Sequence, residues 1–66
     1  MQYYTLFERE ADGRWFEQFG AYNRKEVQEE KMCFRDNGIK AKDLVIVAHA
    51  GTYESLMNAL SKLNAQ

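Results

Sequence analysis

The chain has 66 residues, with nine basic side chains against ten acidic ones, a net charge of −1, one histidine and one cysteine. That length makes one domain, close to the size at which burial only just offsets chain entropy, and leaves little stability to spare for a catalytic cavity. The balanced charge argues against a general polyanion binder and against an acidic mimic of DNA, Cys33 alone excludes an internal disulfide, and one histidine with one cysteine excludes the usual structural zinc site.

The first expected elements are two strands, Tyr3 to Glu10 and Arg14 to Tyr22, joined at Ala11-Asp12-Gly13. Asp-Gly between β-rich runs is a hairpin signal. A two-residue turn would oppose Glu8 to Glu17, a like-charge pair. A three-residue loop with Gly13 in the left-handed conformation pairs Glu10 with Arg14 and Arg9 with Trp15, and is preferred. In that register Tyr3, Thr5, Phe7, Trp15, Phe19 and Ala21 share one face, and Arg9 lies over the Trp15 ring. The opposite face carries Tyr4, Leu6 and Phe16 among Glu8, Arg14 and Gln18, which is too apolar for ordinary solvent surface.

Asn23 is a helix N-cap, with Glu26 three residues later in a capping-box-like pattern. The helix is expected from Arg24 to about Asp36. Gly38 suits the left-handed position after its C-terminus, with Ile39 folding back onto Phe34. Its apolar stripe is thin, carried by Val27 and Phe34, and Met32 points well away from it. Such a helix docks shallowly.

Lys40-Ala41-Lys42 leads into Asp43-Leu44-Val45-Ile46-Val47-Ala48-His49, the one unbroken apolar run, β-branched at its centre. Alternation sets Leu44, Ile46 and Ala48 on one side and Val45, Val47 and His49 on the other, so this strand wants cover on both faces. Ala50-Gly51 ends it. Thr52 caps a second helix with Glu54 in the first turn, and Tyr53, Leu56, Met57, Ala59, Leu60 and Leu63 form its apolar face.

The expected fold is therefore α+β, in the order β-β-α-β-α, as one domain over residues 1–66. A right-handed crossover gives an antiparallel three-stranded sheet of order 2-1-3, with the helices on opposite faces. This places the most apolar strand at an edge, where a hydrophobic backbone invites pairing. Pairing with a copy of itself would resolve that tension and would supply the staple that so small a domain otherwise lacks.

Several chemistries compete for the remaining features. His49, Gly51 and Thr52 sit at a strand-to-helix turn, where backbone N–H groups are able to hold an anion, but no glycine-rich phosphate motif accompanies them. An ordinary N-cap after a turn glycine is the simpler reading. Catalysis by Cys33 or a serine would need His49 and an orienting group beside it, and the expected elements bring no such set together. Aromatics with Arg9 and Arg14 on an open sheet would stack bases, yet Glu26, Glu29, Glu30 and Asp36 interleave with the basic residues of the first helix. The preferred reading is a non-enzymatic protein-binding module without a cofactor, using Tyr4, Leu6, Phe16, Met32, Val45 and Val47. Aromatic residues, Met and Arg are the types enriched at interface centres.

The segments Trp15-Phe16-Glu17-Gln18-Phe19-Gly20, Asn23 to Glu30 and Lys40-Ala41-Lys42-Asp43-Leu44 follow one another in an order that resembles short proteins of tailed bacteriophages and prophages. The resemblance implies a protein that inhibits or adapts a host component of defence, transcription or repair, in the bacterial cytoplasm. A reducing cytoplasm also fits the lone thiol and the want of a signal peptide. No run approaches the roughly 20 apolar residues of a membrane span.

Overall fold

A computed structural model describes residues 1–65. Strands β1 (Tyr3–Arg9) and β2 (Trp15–Ala21) form the hairpin, α1 (Arg24–Asp36) follows, and a single 3₁₀ turn (Ala41–Asp43) leads into β3 (Leu44–His49) and α2 (Tyr53–Asn64). The sheet order is β2-β1-β3, antiparallel throughout. Fold class, element order and topology are those expected from the sequence.

The hairpin closes as a three-residue loop. Gly13 adopts φ +87°, its N–H donates to the Glu10 carbonyl at 2.8 Å, and the Glu10 N–H donates to the Arg14 carbonyl at 2.8 Å. This is the glycine bulge in which only a residue tolerant of the left-handed region fits. Arg9 pairs with Trp15, and its guanidinium lies 5.3 Å from the centre of the indole ring.

Beyond Glu17 the expected faces are corrected. Phe7 pairs with Glu17 but Leu6 pairs with Phe19, so Gln18 is an extra residue bulged out of β2. A one-residue shift moves every later side chain to the other face. Phe19 and Ala21 therefore join Tyr4 and Leu6, and Gly20 joins Tyr3, Thr5, Phe7 and Trp15. The physical gain is plain: each helix receives a well-formed apolar face.

On the first face α1 lays Val27 against Leu6 and Leu44, all essentially buried, with Tyr4, Phe19, Ala21, Phe34, Ile39 and Ile46 packed around them. Val27 is the one buried residue of α1, in keeping with its thin stripe. The Asn23 side chain accepts from the Lys25 N–H at 2.8 Å. The helix ends with the Gly38 N–H on the Arg35 carbonyl and the Ile39 N–H on the Phe34 carbonyl, which folds Ile39 back into the core.

On the second face Phe7 and Thr5 are fully buried beneath α2. The C-terminal end of α2 is fastened to β2 by Asn64, whose Oδ1 accepts from the Trp15 N–H at 2.8 Å while its Nδ2 donates to the Trp15 carbonyl at 3.4 Å. The result is a thin α/β/α slab, 31 × 27 × 12 Å across its Cα atoms, whose smallest dimension is the width of three strands.

Candidate functional site

β3 borders the sheet on one side, and among the described residues no further strand pairs with its outer edge. The ladder shows which of its peptide groups are free. Glu10 exchanges its bonds with β2, so along β1 the even residues turn their N–H and C=O toward β2 and the odd ones toward β3. Tyr3, Thr5 and Phe7 thus bond His49, Val47 and Val45. The peptide groups of Ile46 and Ala48 consequently point outward, as does the Leu44 carbonyl, whereas the Leu44 N–H donates to the Ala41 carbonyl of the preceding turn. The same alternation turns the Trp15 peptide outward from β2, and there the Asn64 amide meets it.

The side chains along this edge are only partly covered. Leu44 is buried, Val45, Ile46, Val47 and His49 are half-buried, and Ala48 is exposed. No charged residue lies between Leu44 and His49. Both helices pack on the sheet, and still β3 keeps apolar surface and free backbone groups on one side. Between β3 and α2 an open groove of about 340 Å³ runs along Val47, Ala48, His49, Ser55, Ala59 and Leu63, with Asn58 and Lys62 at its rim.

His49 lies at the end of this groove and is held by both ring nitrogens. Nε2 lies 2.7 Å from the buried Thr5 Oγ1, and Nδ1 lies 2.9 Å from Ser55 Oγ. Ser55 has one hydroxyl hydrogen, which it donates to the Thr52 carbonyl at 2.9 Å. Nδ1–H therefore donates to Ser55, and Nε2 accepts from Thr5, a tautomer assigned from the network. The Gly51 N–H contact to Nδ1, at 3.4 Å, is the weaker one and gives way. A nucleophilic serine must donate to its base. Here the polarity is reversed, and a threonine stands where a carboxylate would orient the ring. The arrangement is a tether between β1, β3 and α2.

The strand-to-helix turn around His49, Gly51 and Thr52 is likewise occupied by its own chain. The Thr52 side chain accepts from the Ser55 N–H, the Ser55 side chain accepts from the Thr52 N–H, and the Leu56 N–H donates to the Thr52 carbonyl. This is a closed capping box. Of the anion site considered from the sequence, the Thr52 N–H is thus already taken up by its own chain. The Thr5–His49–Ser55 chain had no signature in the sequence, because its members come from three elements.

The residues expected to make an interface are not gathered on one surface. Leu6 is corrected outright: with 0% exposure beneath α1 it belongs to the core, and Tyr4 packs beside it. Phe16 is 38% exposed near the hairpin tip, under the Arg14 guanidinium, and Met32 is 65% exposed on the outer side of α1. Val45 and Val47 lie together on β3, on the α2 face. Neither sheet face is left open as a base-stacking platform, since α1 covers one and α2 the other. Cys33 is exposed on α1, across the sheet from His49.

Fold and site together define a small α+β domain that closes one sheet edge and leaves the other open. No protein-family model, no curated protein and no solved structure matches this chain. Among the described residues no helix is long and apolar enough to cross a membrane.

Proposed function

We propose that this chain is a non-enzymatic protein-binding module that engages its partner by strand addition at the outer edge of β3. One observation carries the reading: the most apolar strand of the protein lies at a sheet edge with the peptide groups of Ile46 and Ala48 free. Main-chain bonds along such an edge give affinity, and side chains in the adjoining groove give selectivity. The resemblance of segment order to short phage proteins adds a class of partner, a bacterial host protein that the module inhibits or adapts.

The test is capture from bacterial lysate by the wild-type chain and by Ala48→Pro. Proline at this exposed position removes an outward N–H and obstructs a neighbouring strand, while the inward ladder is untouched. A partner retained by the wild type and lost by Ala48→Pro supports strand addition. Equal capture by both sinks it.

A further inference from the structure

We infer that in the isolated protein the strand added to β3 is β3 of a second copy, antiparallel, giving a continuous sheet of order 2-1-3-3-1-2 about a two-fold axis at Ile46. The inference rests on the protein-binding reading above and names a second copy as the occupant of the same edge when the protein is alone.

The two edges of the sheet are built differently. β2 is blunted by the Gln18 bulge, by the exposed Glu17 beside it, and by the Asn64 side chain on the outward peptide of Trp15. A bulge, charge and a covering group are the devices that keep an edge from pairing. β3 has none of them from Val45 to His49, and only the Leu44 N–H is taken up, by the Ala41 carbonyl. One edge is closed and one is left open.

The open edge is also complementary to itself. An antiparallel pair forms its bonds only where outward peptide meets outward peptide, so Leu44, Ile46 and Ala48 must oppose members of the same set. Centring the two-fold on Ile46 pairs Ile46 with Ile46 of the second copy, exchanging both backbone bonds, and sets Leu44 against Ala48 at each end, where the Ala48 N–H donates to the Leu44 carbonyl and the Leu44 N–H keeps its bond to Ala41. Moving the centre by one residue to Val47 keeps the parity but pushes Leu44 beyond the strand, opposite Ala50. In the Ile46 register the bulky Leu44 meets the small Ala48, and Val45 meets Val47 on the α2 face. Asp43 and Lys42 lie in the 3₁₀ turn before β3, outside the ladder, so no charged side chain of that turn enters the pairing. No like charges oppose one another, which is the condition for a cross-strand pair to form.

The physical need for a second copy shows in the core. Leu6, Phe7, Val27 and Leu44 are the buried apolar residues among those described, a small set for a stable domain. Extending the sheet adds cover to Val45, Ile46 and Val47 without moving either helix.

Sedimentation equilibrium of the full chain, combined with amide hydrogen exchange, tests this. The expected result is a monomer–dimer equilibrium with a dissociation constant on the order of 10–100 µM, as for a small interface. In the dimer the Ile46 and Ala48 amides become protected as concentration rises. Ala48→Pro and Ala48→Lys each weaken association by about tenfold or more, a change of one decade in the constant, whereas Glu17→Lys on the closed edge leaves it unchanged. Two variants of opposite character guard against a folding artefact in either one.

A chain that stays monomeric at about 200 µM, well above that range, overturns the self-pairing. So does a dimer indifferent to both Ala48 substitutions. If the monomer nonetheless captures a host protein in an Ala48→Pro-sensitive way, the protein-binding reading survives without the dimer. If capture is insensitive too, both fall.

Discussion

Thr5 Oγ1 lies 2.7 Å from His49 Nε2, a diagonal contact between neighbouring strands beneath α2, and Thr5 is completely buried. The threonine thereby satisfies its hydroxyl, and through Ser55 the histidine ties the start of α2 to the sheet. Thr5→Val keeps the shape and leaves the ring nitrogen without its partner. The expected cost is about 1–2 kcal/mol, read as a lower urea midpoint with an unchanged slope. Thr5→Ser, which keeps the hydroxyl, should lose less. Equal losses would show that the methyl group, not the bond, matters here.

Gly20 has no room for a side chain. A Cβ there would come within 2.6–2.9 Å of the Tyr3 ring, which packs edge-on against Tyr22 with centroids 4.8 Å apart. Gly20→Ala must push that ring aside and is expected to destabilise by about 1–3 kcal/mol. Gly20→Ala combined with Tyr3→Ala should recover part of the loss that Gly20→Ala causes alone, and a double-mutant cycle in chemical denaturation measures it.

Arg9 has three roles of unequal weight. Its Nε donates to Asp43 Oδ1 at 3.0 Å, Nη2 donates to the Lys42 carbonyl at 3.3 Å, and the guanidinium covers Trp15. The ion pair is partly exposed, with side-chain exposures of 37% and 27%, so solvent screening keeps its worth below about 1 kcal/mol. Asp43→Asn should therefore be mild and its effect should shrink in salt. Arg9→Ala removes all three contacts and should cost more, with a residual loss that persists at high ionic strength. Thermal denaturation across a salt series separates the two.

The bulge makes an unusual forecast. Gln18 is surplus to the β1–β2 ladder, so deleting it leaves Phe19 and Ala21 on the α1 face. The deletion variant should fold with the same sheet, whereas inserting an alanine after Gln18 should turn both residues away from α1 and unfold the domain. Circular dichroism and denaturation check both. Removing the bulge also straightens the β2 edge, so the deletion variant should form assemblies larger than the wild type at high concentration, seen by light scattering.

Much of this arrangement was legible residue by residue. Asp12-Gly13 fixed the hairpin loop, Asn23 and Thr52 marked the helix starts, Gly38-Ile39 marked the α1 terminus, and the run from Leu44 to His49 could be nothing but a strand. These are local signals, set by backbone conformation and by bonds between residues close in sequence. The faces of β2 are hidden from the sequence because a bulge leaves no mark on composition: Gln18 looks like any strand residue, and only the competition of two helices for apolar cover decides that it is extruded. The burial of Leu6 is hidden too, since which hairpin face is buried depends on the side to which α1 crosses.

The sequence by itself determined the elements, their order and the excess of apolar surface in β3, because turn geometry, capping and alternation act within a few residues. Only the tertiary structure decided that Asn64 closes the β2 edge, that Thr5, His49 and Ser55 form one chain of hydrogen bonds, and that the outer peptides of Ile46 and Ala48 stay free. Those contacts join residues as far as 49 positions apart, and their partners are chosen by how the layers stack rather than by any neighbour in the chain.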